Sequence, residues 1–110
     1  MNSSSTGTSN ADAPGPTVEH RPGRFSMRVE GQLCVADYRP AVVPAGPAAP
    51  VIDVVHTEVP PALQGRGLAA VLMHALLAWA RAEGLRVRPV CSYARSYMRR
   101  HADTHDLLAR

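Results

Sequence analysis

The chain has 110 residues, twelve basic and nine acidic side chains, a net charge of +3 with His neutral, and an apolar share of 45%. That is room for one small domain. The modest positive balance, with one Phe and one Trp, suits a phosphate-bearing ligand and lacks the basic, aromatic-interleaved stripe of a nucleic-acid binder.

Residues 1–23 are rich in Ser, Thr, Gly and Pro and nearly free of large apolar side chains. They are predicted to be a disordered tail, leaving 24–110 as the domain. The start has no apolar h-region and no run approaches bilayer length, which predicts a cytoplasmic protein with no membrane contact. Cys34 and Cys91 form no C-x-x-C motif and are expected reduced.

Arg24 to Glu30 alternates, with Phe25, Met27 and Val29 on one side, as a half-buried strand does. Gly31-Gln32 is the expected turn and Leu33 to Arg39 the returning strand. Four prolines mark residues 40–50 as a loop, with room for at most a short edge strand near Val42-Val43. Val51 to Val59 is apolar on both parities, the pattern of a central strand covered on both faces. Pro60-Pro61 stops it. Leu68, Val71, Leu72, Ala75, Leu76 and Trp79 then recur at helical spacing, and Gly84 caps that helix after about Glu83. Leu85 to Cys91 reads as a strand beside 51–59. Ser92 opens a short helix to about Arg99, and a last helix runs near Ala102 to Leu108. The expected class is α+β: a mostly antiparallel sheet with one β-α-β crossover.

That crossover contains Gln64-Gly65-Arg66-Gly67. Strand, glycine turn and helix start together bring backbone N–H groups onto an anion, so the turn reads as a pyrophosphate site. A P-loop would need Gly-Lys-Ser/Thr, and every basic residue here is Arg. Gly65-Arg66-Gly67-Leu68-Ala69-Ala70 fits the dinucleotide fingerprint G-x-G-x-x-A literally. Pro60 to Leu63 nevertheless separates the first glycine from the strand, and residues 84–98 contain no acid for a ribose.

Val59-Pro60-Pro61-Ala62-Leu63-Gln64-Gly65-Arg66-Gly67-Leu68-Ala69 resembles the acetyl-coenzyme A motif of Gcn5-related N-acetyltransferases, Gln/Arg-x-x-Gly-x-Gly/Ala, with Gln64, Gly67 and Ala69 at its fixed positions. His56-Thr57-Glu58-Val59-Pro60 and Cys91-Ser92-Tyr93 are similar to a small single-domain branch of that family, as are Tyr97 and Arg100-His101. The resemblance covers about residues 24–108. It implies acetyl-CoA in a cleft where strands 51–59 and 86–91 splay apart, its pyrophosphate on the amides of Gln64 to Ala69 and its arm along the strand from Val59. It thereby implies Val59, Gln64, Gly65, Arg66, Gly67, Leu68, Ala69 and Tyr97 as coenzyme contacts. The N-terminal helices and final hairpin that wall the acceptor site of larger relatives have no counterpart here.

Four residues are candidates for the chemistry. Glu58 sits at the strand end and suits a proton acceptor, with His56 on the same parity a second base. Cys91, before a helix start and four residues from Arg95, suits a nucleophilic thiol. Tyr93 suits a proton donor to a leaving thiolate, a role the resemblance implies. Cys34 reads as core. His101 and His105 share a helix face but lack a third soft ligand, so no metal is expected. The expected function is acetyl-CoA-dependent transfer to an amine, by direct attack or through Cys91, in a monomer or weak homodimer. The alternative is a coenzyme A-binding module without turnover.

Overall fold

The computed structural model describes residues 17–42 and 49–109. Five strands lie in sequence order across one sheet: β1 (Glu19–Arg21), β2 (Arg24–Val29), β3 (Gln32–Pro40), β4 (Val51–Glu58) and β5 (Arg86–Pro89). All neighbours are antiparallel except β4 and β5, which run parallel and are joined through α1 (Leu68–Ala82). Helix α2 (Ser92–Arg100) and a 3-10 segment (Ala102–Leu107) follow. The fold is α+β, a mostly antiparallel sheet with one crossover, as expected.

The sheet starts earlier than the expected boundary at residue 24. Glu19, His20 and Arg21 pair with Ser26, Phe25 and Arg24. Residues 1–16 lie outside the described residues. What holds this short strand is aromatic: the His20 ring stacks on Phe25 at 4.0 Å between centroids, meets Trp79 edge-on at 4.6 Å, and reaches the Tyr38 hydroxyl at 2.6 Å. A polar, proline-flanked segment thus gains an anchor that composition does not register.

The β2–β3 turn falls one residue before the expected Gly31-Gln32. Glu30 and Gly31 carry φ of 51° and 77°, the two positive values of a hairpin turn twisted to match its strands. Beyond β3, Val42 is exposed and outside any strand, and Val43 lies outside the described residues.

Helices α1 and α2 and the inward face of the sheet share one core. Phe25, Met27, Cys34, Ala36, Ile52, Val54 and Val87 meet Leu72, Met73, Leu76, Leu77, Ala80 and Met98. The buried stripe of α1 is rotated from the expected one: Met73, Leu77 and Ala80 face inward, whereas Val71 is 44% exposed. A helix apolar nearly all round leaves its inward face to tertiary packing. Leu72 and Leu76 are fully buried, and truncating either to Ala removes about 2–5 kcal/mol, a large part of a domain's margin.

The opposite sheet face carries charge. Arg24 grips Asp37 with two bonds, 2.7 and 3.0 Å, and Arg88 grips the buried Asp53 with two more, 2.8 and 3.0 Å. Among the described residues, no helix covers the second face of β4. Its apolar run misleads because the strand bulges: Asp37 pairs with His56 and Tyr38 with Val54, so Val55 is an extra residue and the parity changes within the run.

The C-terminal segment is tied to α1 by Arg81, which binds both carboxylate oxygens of Asp106 and donates to the Asp103 carbonyl. The hydrogen bond from Arg81 holds the Asp106 carboxyl below the usual carboxylate range.

Two outcomes follow. His20→Ala should free β1, shift the emission of Trp79, the sole tryptophan, and lower the melting temperature by about 4–8 °C. Because folding depresses the Asp106 pKa, its contribution is present above the unfolded value and is lost as pH falls through the folded one. Asp106→Asn should therefore melt earlier than the parent at neutral pH, and the two melting curves should converge as the pH falls through the folded-state titration of Asp106.

Candidate active site

β4 and β5 part at one carbonyl. Val54 O accepts the N–H groups of both Val90 and Cys91, at 2.9 and 3.0 Å. Upstream the two strands are paired; downstream the chain of β5 turns into α2, while β4 continues through Glu58 paired only with β3 among the described residues. That leaves an open strand edge suited to an amide-bearing ligand.

The turn at the end of this gap is built by three devices. Pro61–Leu63 forms one 3-10 turn whose Leu63 is fully buried, fixing it to the core. The Gln64 side chain donates to the Val59 carbonyl at 2.9 Å, drawing the turn back onto β4. Gly65 and Gly67 then adopt φ of 87° and 77°, which side chains rarely accept. Gly67 is the N-cap of α1, no side chain caps that end, and Val71 N–H is the amide that bonds the Gly67 carbonyl. The amides of Leu68, Ala69 and Ala70 thus precede the helical ladder and remain for an anion.

A cleft of about 200 Å³ opens there, lined by Val59, Gln64, Gly65, Gly67 and the first turn of α1, with Tyr93 opposite. It gathers six of the eight residues expected on the coenzyme. Arg66 does not line it: among residues 63–70 it alone is missing from the wall, and its guanidinium donates to Glu30 on the β2–β3 turn at 2.7 Å. Tyr97 does not line it either. It is 6% exposed, packs behind Tyr93 with ring centroids 6.2 Å apart, and lines a groove between α1 and the 3-10 segment. Burial pushes the Tyr93 phenol up, so it keeps its proton and can donate.

The candidates of the β4 end fall on two faces. His56 Nε2 and Glu58 Oε1 are 3.0 Å apart on the exposed side. Between them Thr57 turns the other way, its Oγ1 3.5 Å from the Cys91 sulfur. Cys91 is the N-cap of α2, and its Sγ accepts the Ala94 N–H at 3.3 Å. The structure therefore does not join Cys91 to His56 as nucleophile and base. Arg95 is also engaged elsewhere, donating to the Val90 carbonyl at 2.5 Å. Thr57 was not singled out by its sequence, although it stands inside the His-Thr-Glu-Val-Pro run.

Other candidates are structural. Cys34 is fully buried, and burial pushes its thiol up, away from reactivity. His101 and His105 each place a ring nitrogen on a backbone carbonyl, of Tyr97 and Met98. Among the described residues no three His, Cys, Asp or Glu side chains gather at a point. A larger cleft, about 520 Å³, opens against Arg86, His105 and Asp106, but Arg86 donates to the Asp106 carbonyl and the Asp106 carboxylate is held by Arg81. No described helix is long and apolar enough to cross a membrane.

A parallel strand pair that splays beside a glycine turn and a helix start makes a cleft suited to a ligand with amide and phosphate groups. The family model for GCN5-related N-acetyltransferases matches residues 24–107, and the chain belongs to that family, which transfers acyl groups and generally uses acetyl-CoA. A search of curated proteins finds no match.

Proposed function

We propose that this protein moves the acetyl group of acetyl-CoA to an amine, by direct attack of the amine on the thioester. One observation carries the reading: the amides at the start of α1 line the same cleft as the end of β4, where that strand has lost its neighbour. The amides and helix dipole suit the pyrophosphate, and the open β4 edge suits the amide groups of the pantetheine arm.

The residues then divide the chemistry. Ionised Glu58 can only accept, so His56 donates Nε2–H to it and keeps the Nδ1 lone pair to take the amine proton. An unpaired β4 amide facing the gap stabilises the oxyanion. The protonated Tyr93 phenol is available to the departing thiolate. Cys91 stands across β4 from the His56–Glu58 pair, which favours direct attack over a relay through the thiol.

Calorimetric titration tests the coenzyme. The parent should bind CoA and acetyl-CoA saturably, and Gly67→Glu should lose both. A Cβ at Gly67 meets no atom within 4 Å, so the folding cost is chiefly the backbone's, about 1–2 kcal/mol at φ 77°. A parent that binds neither ligand would overturn the assignment. Rates on a panel of peptide N-termini, lysine peptides and small amines test the chemistry. His56→Gln and Glu58→Gln should slow transfer by about 10²–10⁴-fold with CoA affinity unchanged, and Cys91→Ala by less than about tenfold. An acetylated Cys91 in intact-mass spectra, with Cys91→Ala inert, would replace direct attack by the covalent route. Binding without turnover on every acceptor would leave a coenzyme-binding module.

A further inference from the structure

The Glu30–Arg66 contact joins two elements 36 residues apart: the β2–β3 turn and the glycine turn at the start of α1. Both ends are unusual. Glu30 is the single non-glycine residue with positive φ among those described, 51°, at a hairpin position that Asn, Asp or Gly fill with less strain. Arg66 stands between two left-handed glycines, and it is the one residue of 63–70 turned out of the cleft. It is also the turn's only cation, within a run of backbone amides that suits phosphate.

The contact is a single bond, Nη1 to Oε2 at 2.7 Å, with side chains 48% and 60% exposed. A guanidinium has five N–H donors and prefers a two-pronged partner. Neither Arg24 nor Arg88 settles for one bond here; each holds its Asp with two. Arg66 is thus held by one bond where these two have two, and it stands between two left-handed glycines. A phosphate bound to the amides of residues 64–69 offers it more charge and a two-pronged partner.

We propose that Glu30 is a competing counter-anion for Arg66: it holds the guanidinium outside the cleft, and a ligand phosphate takes it over. Arg66 thereby adds to a preference for phosphate-bearing acyl carriers over phosphate-free pantetheine thioesters, and Glu30 tempers that preference. It rests on the reading that the glycine turn holds the coenzyme's phosphates. No bond is made or broken; one hydrogen-bonded ion pair replaces another.

The sign of one substitution decides. Calorimetry with CoA on the parent, Glu30→Gln, Arg66→Gln and the double variant should give about two- to five-fold tighter binding for Glu30→Gln, the range of an exposed ion pair. Arg66→Gln should bind more weakly than the parent. In the Arg66→Gln background, Glu30→Gln should change nothing beyond about 1.5-fold. Pantetheine should not distinguish Glu30→Gln from the parent. Weaker or unchanged CoA binding by Glu30→Gln overturns the proposal, because Glu30 would then be a brace for the turn. An equal gain with and without Arg66 also overturns it, because Glu30 would merely repel phosphate at a distance. If the parent bound no CoA, the coenzyme reading itself would fall. A parent that binds while Glu30→Gln does not tighten refutes this exchange alone.

Discussion

The carbonyl of Val54 is the point on which the rest depends. A carbonyl has two lone pairs, and here both are used, by the amides of Val90 and Cys91. Two successive amides of one chain can converge on one oxygen only where that chain is turning. The parallel ladder must therefore end there. The Val55 bulge falls at the same level and bends β4 as its neighbour leaves. From that point β4 offers an open edge, β5 becomes the N-cap of α2, and the chain beyond β4 can fold the glycine turn beside the gap.

The remaining architecture holds this opening in place. A single core sits on one side of the sheet, where α1 and α2 pack together. An unfilled gap between strands is a weakness unless both of its margins are anchored. Leu63, fully buried, and the Gln64 bond to Val59 anchor one margin. Cys91, bonded to Ala94 N–H and close to Thr57, anchors the other. Arg81 and Asp106 fasten the C-terminal segment over the same core. Between these margins lie the two left-handed glycines and the arginine they flank.

Among the described residues no helix packs on the other sheet face, and the charges there are paired. Asp53 is buried there against Arg88, and Asp37 is gripped by Arg24. A carboxylate removed from water needs such a partner. This is also the side on which His56 and Glu58 stand exposed.

Much of this was legible in the residues alone, for local reasons. Alternation marked β2 and β3, prolines ended β4, and Gly84, at φ 71°, closed α1. The spacing from Gln64 to Ala69 carried the family resemblance and the glycine turn, because backbone conformation there is written by glycine. What the sequence could not decide depended on neighbours distant along the chain. His20 joins the sheet because Phe25, Tyr38 and Trp79 surround it, and none of these is near in sequence except Phe25. The inward stripe of α1 was fixed by the sheet, since its own periodicity admits more than one. The parity of β4 changed at a bulge that only pairing with β3 exposes. Arg66 was placed by Glu30, across 36 residues, and Cys91 was separated from His56 by the alternation of a strand whose register is tertiary. Local backbone preference determined the elements and the turn. Long-range pairing decided which side chains the site can use.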